Sequence, residues 1–171
     1  MRVILYMATT INGFVAKEND DTGFVSETEW SNFRSKIQEI GNLVVGRRAY
    51  EIMRKNGDFK NLQNIKVVVV TKNSSTQLES TLHSVAKSPK SAVTLLAKQG
   101  FEKILVAGGG MLNGSFISEG LIDEIFIDIE PVAFGKGIKL FGENNFEAKL
   151  KLLGTKQLSP NEIQLHYEVQ K

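Results

Sequence analysis

The sequence predicts an α/β fold in three layers: a central mixed, mostly parallel sheet flanked by helices and closed by a C-terminal antiparallel hairpin. Three observations carry this. Residues 3–7, 43–45, 67–70 and 104–107 form short runs rich in Val, Ile, Leu and Ala, separated by stretches of helical length, the pattern of parallel strands joined by crossover helices. The last of these runs leads through Gly108, Gly109 and Gly110 into Met111 and Leu112, a buried strand, a tight turn and a helix in succession. After Asp123 the texture changes to alternation, with Ile125, Ile127 and Ile129 set against Phe126, Asp128 and Glu130. Residues 149–158 and 163–169 also alternate, around the turn signal Ser159-Pro160-Asn161, as a hairpin requires.

The elements follow in order. The first run is a strand, and Asn12-Gly13 turns the chain behind it. Residues 27–40 place Trp30, Phe33, Ile37 and Ile40 on one helical face. Ser26 to Glu29 reads as a capping box that opens this helix and gives Glu29 a structural reason to be there. The second run ends at Gly46-Arg47-Arg48, where a helix begins. Arginines in a first turn oppose the positive end of the helix dipole, so they call for an anion, either a surface carboxylate or a bound phosphate. The third run ends in Thr71, Lys72, Asn73, Ser74 and Ser75, a polar and basic loop at the same sheet edge if the strands are parallel. Ser88-Pro89 supplies an N-cap and a first-turn proline for a helix over 89–98.

Composition narrows the function. The 171 residues fit a single domain spanning 1–171 that can bury a core unaided. A formal net charge of +2 lacks the footprint of a nucleic-acid binder. No cysteine is present, and the two histidines, His83 and His166, lie far apart, which excludes thiol catalysis and leaves no metal-ligand spacing. No segment approaches the ~20 apolar residues of a membrane helix, so a cytoplasmic protein without a membrane partner is expected.

Ligands of open α/β sheets sit at the carboxyl ends of the strands. Gly46, Arg47, Arg48, Thr71, Lys72, Asn73 and residues 107–112 (Ala107, Gly108, Gly109, Gly110, Met111, Leu112) are the candidates for holding a dinucleotide there. The glycines do not complete the dinucleotide fingerprint, because Asn113 stands at its last glycine, although Asp128 lies where that fingerprint expects a ribose-binding acid. Asn12 and Glu29 are the candidate catalytic groups, and Thr10, Trp30 and Phe33 the candidate substrate contacts.

Taken together, Asn12-Gly13, Gly46-Arg47-Arg48-Ala49-Tyr50, Gly108-Gly109-Gly110, Gly120 with Asp123-Glu124, and Pro131 with Gly135, Gly137 and Phe141 resemble the dihydrofolate-reductase-like fold. They are most similar to the reductase domain of the bifunctional deaminase-reductase of riboflavin biosynthesis, in a small stand-alone form. The resemblance implies NADPH as cofactor, hydride transfer to a pyrimidine- or pterin-like substrate, and a homodimer. Two positions depart from the family pattern: Asn12 stands where aspartate is usual, and Ala49 where threonine is usual. A non-catalytic relative holding a nucleotide or folate-like molecule is the alternative function. Lys17 is followed by Glu18, Asp20 and Asp21 near the first loop, which disfavours a sugar-phosphate substrate. A dimer is expected through the C-terminal half, where Phe126, Phe134, Phe141 and Phe146 are expected to crowd around the antiparallel strands.

Overall fold

The computed structural model describes residues 1–73 and 75–171. The apolar runs become the inner strands β1 (Arg2–Thr10), β3 (Asn42–Gly46), β4 (Lys66–Val70) and β6 (Lys103–Val106). Three more strands, β5 (His83–Ala86), β7 (Glu124–Glu130) and β10 (Glu162–Gln170), and the edge strand β9 (Lys149–Ser159) complete an eight-stranded sheet. Its order is β5-β4-β3-β6-β1-β7-β10-β9. From β5 to β7 every neighbour is parallel, while β10 runs antiparallel to both β7 and β9. A separate antiparallel pair joins β2 (Phe14–Ala16) to β8 (Ile138–Lys139). Asn12-Gly13 does turn the chain between β1 and β2, but β2 pairs with β8 rather than folding back as a hairpin.

Strand alternation sends successive side chains to opposite faces, and each face has its own core. Ile4 and Tyr6 pack with Phe33 and Ile37 of α1 (Glu27–Ile40) and Tyr50 of α2 (Arg47–Asn56). Val3 and Leu5 pack with Leu96 of α3 (Pro89–Lys98) and Phe116 of α4 (Gly110–Ser118). Each fully buried Leu or Ile contributes about 1.5–3 kcal/mol of transfer free energy. Strand β5 was not among the predicted runs, because His83-Ser84-Val85-Ala86 lacks their continuous apolar character. Its His83 is buried against Tyr50, whose hydroxyl lies 2.7 Å from the ring nitrogen Nδ1.

Two expectations are corrected here. Ser26 caps α1, its hydroxyl accepting from the Glu29 amide at 3.0 Å, but the Ser26 amide donates to Glu130 Oε1 at 2.9 Å. Glu29 is therefore not the reciprocal partner of a capping box; the complete box is Ser88 with Ser91 on α3. The four phenylalanines do not gather on one surface either. Phe126 stacks on Tyr6 and His166, Phe134 meets Phe24 edge-on, and Phe141 meets Phe146. Each finds cover within its own chain, and the apolar side chains left exposed near this end are Leu150, Leu152, Leu153 and Ile163 of the hairpin.

Candidate active-site cleft

The carboxyl ends of β1, β3, β4, β5 and β6 open into one cleft of about 720 Å³. At one end the backbone dominates. Gly46 donates its amide to the Gly108 carbonyl at 2.7 Å, tying the ends of β3 and β6 together. Gly108 has φ of 82°, left-handed backbone that favours glycine, and a Cβ there would press on the Met7 thioether. Gly109 is the N-cap of α4 and Gly46 the N-cap of α2, and neither helix start has a side-chain cap. Two sets of free amides with their positive dipole ends thus open on the same space. Met111, 61% exposed, forms part of the wall. Lys72, from the loop after β4, and Lys87, from the turn after β5, add cations to the lining.

Arg47 and Arg48 line the cleft as expected, each with a carboxylate partner. Arg47 donates to Glu51 Oε1 at 2.9 Å, one turn along α2, and Arg48 donates to Asp20 Oδ2 at 2.6 Å across the cleft mouth. Thr71 also lines the cleft, whereas Asn73 does not: its Oδ1 accepts from the Ser75 amide in a local turn. Ser74 lies outside the described residues. Asn113, at the position that breaks the dinucleotide fingerprint, has its own task, donating from Nδ2 to the Leu140 carbonyl at 2.9 Å.

The other end is built from side chains. Trp30 and Phe33 of α1 and Tyr6 of β1 form its aromatic wall, with Tyr6 and Phe33 ring centroids 5.5 Å apart. Glu29 lies among them, 3% exposed, and its carboxyl has no hydrogen-bond or ion-pair partner among the described residues. Burial first, and then the charges of Asp128, Glu130 and Glu162, push it up to about 8. The helix that presents Glu29 begins there because Ser26 caps it, and Phe33 and Ile37 on the same face seat it on the sheet.

Beneath Glu29, residues of β1, β7 and β10 that point to the same face form a buried polar layer. Asp128 accepts from the Tyr6 hydroxyl at 2.6 Å and from Gln164 Nε2 at 2.8 Å. Burial and the Asp128 charge raise the Tyr6 hydroxyl far beyond its ordinary range, so Tyr6 remains a donor. Burial raises Asp128 itself, while those two donors pull it back. Burial raises Glu130, which accepts from the Ser26 amide, while the Ser159 and Ser26 hydroxyls hold Glu162 down.

Thr10 and Asn12 are not part of the cleft lining. Thr10 Oγ1 donates to Asn12 Oδ1 at 2.8 Å, and Asn12 Nδ2 donates to the Phe134 carbonyl at 2.7 Å. The pair ties the first loop to the segment after β7, an architectural task that an uncharged amide performs with both its donor and its acceptor. Asp128 does not serve the glycine turn: it is buried below Glu29. Sequence reasoning missed Tyr6, Glu130, Glu162 and Gln164, although the alternation around Ile125, Ile127 and Ile129 already put Asp128 and Glu130 on one face. Charged residues on an inner strand were the available signal, since unpaired burial of charge is costly. The Asp123-Glu124 motif is structural: Asp123 accepts from the Val3 amide at 2.7 Å, and Glu124 pairs with Arg2 at 2.8 Å.

Comparison with known proteins bears on the family and the fold. The protein is 29% identical to the uncharacterized protein YwjB of Bacillus subtilis (strain 168) over 169 residues, 97% of each chain. Its fold is similar to that of a putative riboflavin biosynthesis protein from Shewanella sp. PV-4, with a TM-score of 0.82, 21% identity and 100% of both chains covered. It is also similar to dihydrofolate reductase from Enterococcus faecalis, solved with NADP(H), with a TM-score of 0.69, 17% identity, and 99% of this chain and 97% of that one covered. The family model described as RibD C-terminal domain matches residues 1–164, and the chain belongs to that family.

Proposed function

We propose that the protein is an NADPH-dependent reductase that transfers a hydride to a pyrimidine- or pterin-like ring. The observation that carries this is the continuity of one cleft between a backbone-lined cationic end and an aromatic end that holds the buried carboxyl of Glu29. The residues present fit the cofactor. The uncapped starts of α2 and α4 suit a pyrophosphate, and Arg47, Arg48, Thr71 and Lys72 suit a ribose 2′-phosphate. Bound NADPH supplies the hydride. Tyr6, Trp30 and Phe33 stack on and enclose a flat substrate, excluding water from it, and Glu29 hydrogen-bonds the ring edge.

Titrating NADPH and NADH against the protein by cofactor fluorescence tests the first half. NADPH binds tighter, and Arg47→Ala weakens it by about 1.5–3 kcal/mol, the worth of a charge-assisted hydrogen bond. Equal affinity for the two cofactors sinks the 2′-phosphate assignment. Incubation with NADPH and a panel of pterins and aminouracils, followed by cofactor absorbance, tests turnover. Tight NADPH binding with no oxidation of the cofactor across the panel counts for a binding protein instead of an enzyme.

A further inference from the structure

Resting on the reductase reading for the identity of the site, we propose that Asp58 reads the side chain carried by the substrate ring. The cleft takes a ring whose substituent donates hydrogen bonds, an amine above all, and rejects one that ends in phosphate or carboxylate. The distribution of charge along the cleft carries this. Its cations, Arg47, Arg48, Lys72 and Lys87, come from the start of α2 and from the turns after β4 and β5. Farther along α2 the lining passes to Ile52 and Met53, and then to Asp58 at the head of the 3-10 turn Asp58–Asn61. Met53 and Phe59, the neighbour of Asp58, belong to the same core as Trp30 and Phe33, which places this stretch at the aromatic end. Among the described residues no cation from α1, from the later turns of α2 or from the 3-10 turn lines the cleft.

The Asp58 carboxyl is half-buried and has no hydrogen-bond or ion-pair partner among the described residues. Arg34, whose guanidinium lies over the Trp30 ring 5.7 Å from its centroid, acts on Asp58 by charge alone and does not itself line the cleft. Burial raises the carboxyl, and Arg34 pulls it part of the way back. An acid in the first turn of a helix is favoured by the helix dipole, but a 3-10 helix of four residues offers little of one. That leaves a carboxylate that has given up part of its water without a replacement, and a donor on a ligand supplies the replacement. Glu29 is the second, independent sign that a ligand completes this end: it is 3% exposed, lines the same cleft from a different element, and is unpartnered as well. A phosphate or carboxylate entering here meets Asp58 in a partly enclosed site, where salt screens the repulsion less than at an open surface. Arg48 at the cleft mouth, already engaged by Asp20 at 2.6 Å, is not free to receive it. The cleft is thus polarised, with anionic groups drawn to the glycine turns and donors to the far end.

Trp30 is the single tryptophan and lines the cleft, so quenching of its fluorescence reports occupancy in the full chain without cofactor. Two matched pairs of ligands cover a short and a long reach. The first is 6-aminomethylpterin against pterin-6-carboxylate, and the second the ethylenediamine monoamide of pteroic acid against pteroylglycine. At neutral pH the amine binds about tenfold tighter in at least one pair, as a charge-assisted hydrogen bond at a half-buried carboxylate allows. Asp58→Asn, which keeps the shape of the side chain, brings that preference to within about twofold, and Asp58→Lys reverses it. Equal binding within both pairs, tighter binding of the carboxylates, or a preference for the amine that survives Asp58→Asn overturns the proposal. If none of the four ligands quenches Trp30, the ring class in the reductase reading falls and takes the role of Asp58 with it. If the pairs discriminate as expected while NADPH fails to bind, hydride transfer falls and the role of Asp58 stands.

Discussion

At one end of the cleft the protein offers backbone and exposed cations; at the other it offers side chains buried on a sheet face. The proposed cofactor end is shaped by glycines at the carboxyl ends of strands, with Arg47, Arg48 and Lys72 at its surface. The proposed substrate end is shaped by Tyr6, Glu29, Trp30 and Phe33, with a layer of carboxyls behind them. The difference teaches how each end fails. A site made of backbone is sensitive to added bulk, and a site made of buried acids is sensitive to pH.

The first way to break the comparison is steric. At the start of α4, a Cβ on Gly110 would run into the Lys139 carbonyl and crowd the Gly142 amide. Neither neighbour is a flexible side chain that can swing aside, so Gly110→Ala is expected to destabilise the fold by about 3 kcal/mol, the upper part of the overpacking range. Urea unfolding measures it. A loss below about 1 kcal/mol shows that the segment after β8 yields, and that close approach of backbone does not define the cofactor end.

The second concerns charge. Glu29 is raised in the folded protein from 4.5 to about 8, so the folded state holds its proton more tightly than the unfolded chain does. Its contribution to stability is complete below the unfolded value and is lost as pH rises through the folded one. Glu29→Gln cannot titrate. The variant should therefore gain on the wild type by up to about 1.4 kcal/mol per pH unit across that window and level off above it. Parallel melting curves from mildly acidic to mildly alkaline pH show the divergence; curves that keep a constant separation mean that Glu29 titrates alike in both states.

The smallest effect sharpens the boundary between the ends. Asp20 reaches across the cleft mouth to Arg48, whose side chain is 65% exposed. Such a pair contributes about 0–1 kcal/mol, so Asp20→Asn should leave the melting temperature almost unchanged. A phosphate no longer has to compete with Asp20 for Arg48, and NADPH should bind up to about fivefold tighter, the equivalent of that energy. Weaker NADPH binding in this variant would place Arg48 outside the cofactor site.

The predicted strands at the cofactor end were legible because each is a continuous apolar run ended by glycine or a polar loop, signals that act within a few residues. Arg47, Arg48, Thr71, Lys72 and residues 107–112 all reach the cleft lining for that reason. Strand β5 escaped notice because it mixes His83 and Ser84 with its apolar residues, and Lys87 went with it. At the proposed substrate end Glu29 stood in a capping pattern it does not complete, while Asn12 and Thr10 tie the first loop to the segment after β7 and do not line the cleft.

By itself the sequence determined periodicity, and through it the parallel strands, the helices with their starts at Ser26, Gly46, Ser88 and Gly109, and the C-terminal hairpin, since these follow from local sterics and burial. Only the tertiary structure decided that Glu29, Asp128, Glu130 and Glu162 share one buried layer. They lie on three elements, and the parallel register of β7 on β1 and the antiparallel register of β10 on β7 bring them together. The ionisation of each depends on the others through space, at distances along the chain that no local pattern records.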